Sequence, residues 1–387
     1  MTVRVPVRPE LLRWARERSR IAPERFEKRF PRFHAWERAE PHPTYRQLEG
    51  FAKATRTPIG FLFLAEPPEQ PLPIPDFRTI ADRPVGRPSP DLLDTLYLCQ
   101  ERQAWYRDHA LKDGEAPLPF VGSTSASDSV EAIAARMRTT LAFDLEERRN
   151  LSTWTDALRR FITQANDAGV LVMVSGIVGS NTQRRLDVAE FRGFALVDDV
   201  APLIFLNGAD SRAAQMFTLA HELAHIWLGE SALSDSDGRA VPEHHIEGSC
   251  NRVAAEVLAP LTVVQEEFNP DVPLADEAPR LARRFKVSSL VALRRLRDLG
   301  ALDAETYWNT YDREVDRLRE LEVGRKSSSS GGNFYRTTGA RVSPRFARAV
   351  IVATLEGRSS FTDAFRLLGF KKMATFRELG RRLGVDV

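Results

Sequence analysis

The residues with the clearest chemical content are His221-Glu-Leu-Ala-His225. On a helix, positions i and i+4 share one face, so both imidazoles can bind a single ion. Glu222 sits beside them, where a carboxylate can take a proton from a water activated by that ion. Four of the five flanking positions in Phe217-Thr-Leu-Ala220 and Ile226 are apolar, so this helix is expected to be largely buried. Buried imidazoles and carboxylates need partners, because an unpaired polar group in the core is costly. A metal ion satisfies them together.

A hydrolytic metal site of this type takes three protein ligands and leaves the fourth position to water. Glu230, Glu243, His244, His245, Glu247 and Glu256 all lie downstream, and spacing alone does not choose among them. Helix periodicity offers a preference. The stretch Glu247–Leu258 reads as a helix stopped by Pro260, with Cys250, Val253, Ala254, Val257 and Leu258 as its apolar face. Glu247 shares the side of Cys250 and Asn251, which faces the core. Glu256 is expected to point to solvent. Cys250 reads as a small buried hydrophobe.

The elements that must carry these residues follow from changes of period. Val170–Val174 is a continuous apolar run, the mark of a buried strand. Phe191–Val197 and Pro202–Leu206 read as two more strands, with Asp198-Asp199 as the turn between them. Helices are expected at Pro90–Ala110, Ser129–Thr139, Thr153–Ala168 and 212–228. Arg280–Leu299 is helical. Val287–Leu296 within it resembles a helix-turn-helix, but packing on the metal domain is the preferred reading. Residues 344–385 return to amphipathic helices carried by Phe346, Val350, Phe361, Phe365, Phe376 and Leu379. No repeat of fixed period is visible.

Bulk properties set limits around that core. The chain has 387 residues, 43% apolar and 28% charged, which excludes disorder throughout and suggests two to four domains. Cysteines 99 and 250 are the sole two, too few for a disulfide framework. No apolar run approaches the roughly 18 residues of a spanning helix. The first 20 residues hold six arginines and no apolar segment, so no signal peptide is read. A cytoplasmic location is the expectation. The net charge of +2 hides an asymmetry: residues 1–65 hold 14 Lys and Arg against seven Asp and Glu, a net of +7. Short helices are expected in this head, around Leu11-Leu12, from Pro23 and from Tyr45. Eight prolines between 66 and 90 mark a linker.

Several separated blocks share the order of a known family. Glu190-Phe-Arg-Gly-Phe-Ala-Leu196, Ile204-Phe-Leu-Asn207, Phe217–His225 and Glu247–Pro260 resemble the ImmA/IrrE family of zinc metallopeptidases, over roughly residues 150–300. The resemblance implies His221, His225 and Glu247 as zinc ligands, Glu222 as catalytic base and Asn251 as a residue that supports a ligand. It also implies a protein substrate of the repressor or antitoxin type. Trp36-Glu-Arg-Ala-Glu-Pro-His-Pro-Thr44, Leu48 and Phe51-Ala52 look like the end of an XRE-type helix-turn-helix. Ile74-Pro-Asp-Phe-Arg-Thr79 and Gly331–Arg336 resemble segments of a longer subgroup that joins the two modules. Phe30-Pro-Arg-Phe33 departs from that pattern, standing where such modules have a polar turn.

The resulting expectation is an α+β, mostly helical chain. Residues 1–65 would be an XRE-like helix-turn-helix bundle and 66–90 a linker. Residues 91–300 would be a zincin-like metallopeptidase domain with a small antiparallel sheet. Residues 301–387 would be a C-terminal helical region with a flexible Ser/Gly segment at 325–332. DNA is the expected partner of the head, through Arg29, Arg32, His34, Arg38 and Arg46. A homodimer is the candidate assembly, and no membrane partner is expected. The alternative is a DNA-binding repressor or antitoxin whose zinc domain is a non-catalytic sensor.

Overall fold

Prolines at first turns, side-chain caps and left-handed glycines divide this chain into short helices, and one buried sheet interrupts them. The structure, a computed structural model, describes residues 3–76, 79–80, 83–84, 87–234, 245–326 and 341–386. The chain separates into two units, residues 1–73 with 84–97 and residues 74–83 with 98–387. The Ser/Gly segment expected to be flexible lies, from 327 onward, outside the described residues, as do Gly331–Arg336, Glu243 and His244.

In the first unit, α1 (Pro9–Arg18) and α2 (Pro23–Arg29) each start on a proline, whose fixed φ suits the first turn. The short α3 (Phe33–Glu37) follows, then α4 (Tyr45–Thr55). Thr44 and Gln47 cap the start of α4 reciprocally, satisfying two otherwise orphaned amides. Leu11, Leu12, Phe26, Phe33, Trp36, Leu48 and Phe51 form the core. Phe26 meets Phe33 edge-on at 4.8 Å, and Phe30 lies against Phe51 at 5.6 Å. The Phe30-Pro-Arg-Phe33 departure is therefore an aromatic packing feature.

The two-residue strands β1 (Thr79–Ile80) and β2 (Arg83–Pro84) precede α5 (Pro90–Lys112). The second unit continues with α6 (Val130–Thr140), α7 (Leu145–Asn150) and α8 (Trp154–Asp167). Ser129, Asp144 and Thr153 cap these three helices through their side chains. The sheet comprises β3 (Leu171–Ser175), β4 (Gly193–Leu196), β5 (Leu203–Asn207) and β6 (Ala232–Ser234), in spatial order β3-β5-β4-β6. It is mixed rather than antiparallel: β3 and β5 run parallel, while β4 pairs antiparallel with both β5 and β6. The β4–β5 hairpin reverses the chain once, around Asp198, whose carboxylate accepts from Val200 and Ala201 amides at 2.9 and 2.8 Å. The long connection 176–192 delivers β4 to the far side of β5, which leaves β3 beside β5 in the same direction.

The central helix α9 (Arg212–Leu228) packs against β4 and β5, and also against α8 and α10 (His245–Leu258). Nearly all of its residues from Gln215 to Trp227 are buried, as befits a helix covered on every side. Gly229 ends it at φ 77°, and a Cβ there would come within 3.0 Å of Gly122 Cα. Only glycine meets both demands.

Helices α11 (Leu261–Glu267), α12 (Leu274–Phe285), α13 (Ser289–Asp298) and α14 (Ala304–Lys326) follow. Ala292 and Leu296 of α13 join the same core as α9, so this region packs on the sheet domain. Last come α15 (Pro344–Leu355), α16 (Phe361–Leu368) and α17 (Met373–Arg382). Among the described residues, no helix is long and apolar enough to cross a membrane.

The expectation that Glu256 is solvated is overturned. It is 6% exposed, pairs with the buried Arg295 guanidinium and accepts from the Leu261 amide at 3.2 Å. The Ala259 carbonyl takes a further bond from Arg295 at 2.9 Å. Helix periodicity assigned Glu256 to the outer face, but α13 covers that face and brings its own cation. Glu256→Ala leaves the buried Arg295 with Asp298, at 3.3 Å, as its remaining carboxylate partner among the described residues, so a loss below the roughly 3–5 kcal/mol of a wholly uncompensated buried charge is expected. Urea unfolding monitored by tryptophan fluorescence measures it.

Candidate metal centre

The site begins with α9. Ser211 caps its start, accepting from the Ala214 amide at 3.2 Å, and the four-residue spacing turns His221 and His225 to one side. Both imidazoles and Glu222 are completely buried. Helix α10 crosses beside α9, and its first turn carries Glu247, 5% exposed. An acidic side chain is favoured there by the helix dipole.

Three side chains converge. His221 Nε2 and His225 Nε2 lie 3.1 Å apart. Glu247 Oε2 is 3.2 Å from the first, and Glu247 Oε1 is 3.0 Å from the second. A tetrahedral zinc with bonds of about 2.0–2.1 Å has ligand–ligand edges of about 3.3–3.4 Å. The separation of the two imidazole nitrogens lies within a few tenths of that, and each nitrogen is as close to one oxygen of the Glu247 carboxylate. Two buried imidazole nitrogens pointing at each other and at one carboxylate form the donor set of a metal better than a self-sufficient hydrogen-bond network. Among the described residues, His221, His225 and Glu247 are the group with this property.

The electrostatics agree with strong mutual attraction. Burial disfavours the charged form of His221, but the Glu247 carboxylate outweighs it and holds the imidazole above its ordinary value. For His225 burial wins over the bond to Glu247, and the imidazole sits below its ordinary value. Glu247 is opposed by burial, yet the two histidines hold its carboxyl well below the usual carboxylate range.

Around the donors, Asn251 Oδ1 lies 3.0 Å from His221 Nδ1, one turn along α10 from Glu247. When Nδ1–H donates to Asn251, the lone pair of Nε2 faces the donor cluster, which is how an outer partner orients a ligand. Cys250 is fully buried, and burial pushes its thiol well above the ordinary value, so it packs as a small apolar group. Glu230 is exposed beyond the end of α9, and His245 is exposed at the start of α10. Neither joins the cluster.

Gly193, on β4, is a residue that sequence reading passed over. A Cβ there would lie 2.6 Å from Thr218 Cγ2, 2.9 Å from the Phe205 carbonyl oxygen and 3.1 Å from Glu222 Oε1. The strand can lie against α9 only because this position has no side chain. A glycine inside a strand pattern is the available signal of such an approach. Gly193→Ala must push Thr218 and Glu222 aside. It is expected to leave metal uptake at His221, His225 and Glu247 intact while lowering by about tenfold or more any hydrolysis that relies on the Glu222 carboxylate, since small misplacements of reacting groups are costly. Parallel metal analysis and cleavage assays check this.

The head residues stand apart from this site in the sequence. Arg29, Arg32, His34, Arg38 and Arg46 are all exposed. Arg29 lies over the Phe30 ring at 5.7 Å, and His34 Nδ1 is 3.1 Å from Glu37 Oε2. Arg32, His34 and Arg38 occupy or flank α3, a helix of five residues whose Phe33 and Trp36 are committed to the core.

Comparison with known proteins fits this geometry. Residues 165–297 match the IrrE N-terminal-like domain, a peptidase family. The matched stretch contains α9, α10 and all four donor and acid residues. The radiation response metalloprotease IrrE of Deinococcus radiodurans is 36% identical over 96 residues, which are 24% of this chain and 29% of that relative. The alignment thus spans less than a third of the relative's length. Residues 342–382 match a domain of unknown function, DUF8813.

Proposed function

We propose that this protein is a zinc-dependent endopeptidase of the HExxH type that cleaves a repressor or antitoxin-like partner protein. The convergence of His221, His225 and Glu247 beside Glu222 on a buried helix is the observation that carries the reading. The likeness of residues 165–297 to a peptidase family, and of part of them to a protein named a metalloprotease, supports it.

His221 and His225 would hold zinc through their Nε2 atoms, and Glu247 would complete the protein's share of the ligands. Zinc, when bound, supplies Lewis acidity toward water and the scissile carbonyl. Glu222 receives the proton of the attacking water and returns it to the departing amine. Asn251 keeps His221 in the tautomer that directs Nε2 to the cluster. His221, Glu222 and His225 are all 0% exposed, and the exclusion of water strengthens every charge interaction among them.

The second reading is a DNA-binding repressor or antitoxin whose zinc domain only senses. Complete burial of His221, Glu222 and His225 is the observation in its favour. The intact Glu222 favours catalysis, because a site that only holds metal has no use for the acid. The two readings separate on whether wild-type protein, incubated with an extract of its own cells, creates new protein N-termini that the Glu222→Gln variant does not.

A further inference from the structure

The C-terminal helices α15, α16 and α17 carry a charge pattern that the metal centre does not use. Residues 341–386 contain ten Lys and Arg against four Asp and Glu, a net of +6. The surplus is unevenly distributed. Arg345 is bound by Glu115 and Tyr106, Arg358 by Asp113 and Glu356, and Arg366 by Glu101 and Asp363. These cations are spent on docking the module against the rest of its unit. Arg102 on α5 adds a buried bond, its Nε donating to the Leu367 carbonyl at 2.9 Å. Lys371, Lys372 and Arg377 are exposed and have no ion pair among the described residues. Arg381 and Arg382 are also exposed, and each lies against Glu378. Unpaired positive charge therefore gathers on Lys371, Lys372 and Arg377, in α17 and the turn before it.

The backbone there has a specific shape. Ser360 caps α16, accepting from the Asp363 amide at 3.0 Å. Gly369 ends it at φ 72°, and the Phe370 amide closes the helix end by donating to the Phe365 carbonyl at 2.8 Å. Lys371 and Lys372 complete a four-residue turn before α17 starts at Met373. Phe361 and Phe365 of α16 meet Phe376 of α17 at 5.5 and 6.0 Å, and α15 packs on both helices. Two helices of this length, joined by a short glycine-containing turn and backed by a third, have the form of a helix-turn-helix.

The second helix presents a suitable face. Phe376 and Leu379 are buried, whereas Met373, Ala374, Arg377 and Arg381 are exposed. Positions 373, 377 and 381 follow i, i+4, i+8 spacing, which makes one stripe. Arg377 and Arg381 stand about 6 Å apart along the axis, close to two base-pair steps of about 3.4 Å. Arginine is also the side chain best matched to guanine edges and to phosphate. In the head, the helix that carries His34 is shorter: α3 has five residues, two of them buried.

We propose that residues 341–386 form a duplex-DNA-binding module, with α17 entering the major groove and Lys371 and Lys372 clamping phosphates. The proposal does not depend on the peptidase reading. Its test uses the full chain and a fluorescently labelled 30-base-pair duplex of mixed sequence, titrated at several salt concentrations. Wild type should bind at low salt, with log affinity falling linearly against log salt. The variant carrying Lys371→Ala, Lys372→Ala and Arg377→Ala should bind at least tenfold more weakly, with its salt slope reduced by about 2.7. Because the three side chains are exposed and unpaired, its melting temperature should match wild type. Arg377→Lys alone, which keeps the charge, should keep the wild-type salt slope. Absence of duplex binding by wild type overturns the proposal, as does unchanged affinity and slope in the triple variant. Binding to phosphatidylglycerol vesicles without binding to the duplex overturns it too, in favour of an anionic membrane surface.

Discussion

Glu222→Gln is expected to abolish measurable proteolysis while the protein still takes up zinc. Glutamine has the shape of glutamate but accepts no proton at this pH range. A positioned general base contributes about 10²–10⁴-fold to such reactions. The proton taken from water must also be delivered to the leaving amine, so one residue serves both halves of the step. Glu222 is not among the three converging donors, so removing its charge should leave metal content unchanged. New N-termini counted by mass spectrometry in a cell extract give the activity, and metal analysis of the same preparation gives the occupancy. Equal cleavage by wild type and variant would show that Glu222 is not the base.

Removing the metal is expected to have the second-largest effect, on stability. His221, His225 and Glu247 bring two imidazoles and a carboxylate together at 3.0–3.2 Å in a fully buried place. An ion that binds only the folded chain stabilises it by about 4 kcal/mol when its concentration is a thousandfold above Kd. Chelation should therefore lower the melting temperature by several degrees, and zinc should restore it. Asn251→Ala keeps all three donors but frees the His221 ring, and its zinc affinity should fall by about 10–100-fold. Competition titration against a chromophoric chelator measures that fall. A melting temperature that ignores both chelator and zinc would show that the three side chains form a purely structural cluster.

The convergence of the two histidines and Glu247 was legible because its grammar is local. His221 and His225 are one turn apart on a helix, and Glu247 shares a face with Cys250 and Asn251, so periodicity alone aims them inward. The same periodicity misassigned Glu256, because it sees which face of α10 is apolar but not that α13 brings Arg295 over the other face. The sheet shows the same boundary. Each strand core was visible as an apolar run, yet whether β3 meets β5 in parallel depends on where the 176–192 connection travels. The short strand β6 has three residues and no apolar run of its own, and it forms because β4 offers a free edge. Gly193 carries no chemistry in its type, and its importance appears only when Thr218 and Glu222 are found against it. In the C-terminal region the amphipathic helices were readable. Which of their cations remain unpaired was not, since Glu115, Asp113 and Glu101 come from far earlier in the chain.

His221, His225 and Glu247 are proposed to hold one catalytic ion together. Zinc content of the purified chain, measured by mass spectrometry beside the His225→Ala variant, tests it most directly. About one zinc per chain is expected in the wild type and close to none in the variant. A wild-type chain that takes up no zinc from a zinc-supplied buffer would contradict it, and so would a His225→Ala chain that keeps a full equivalent.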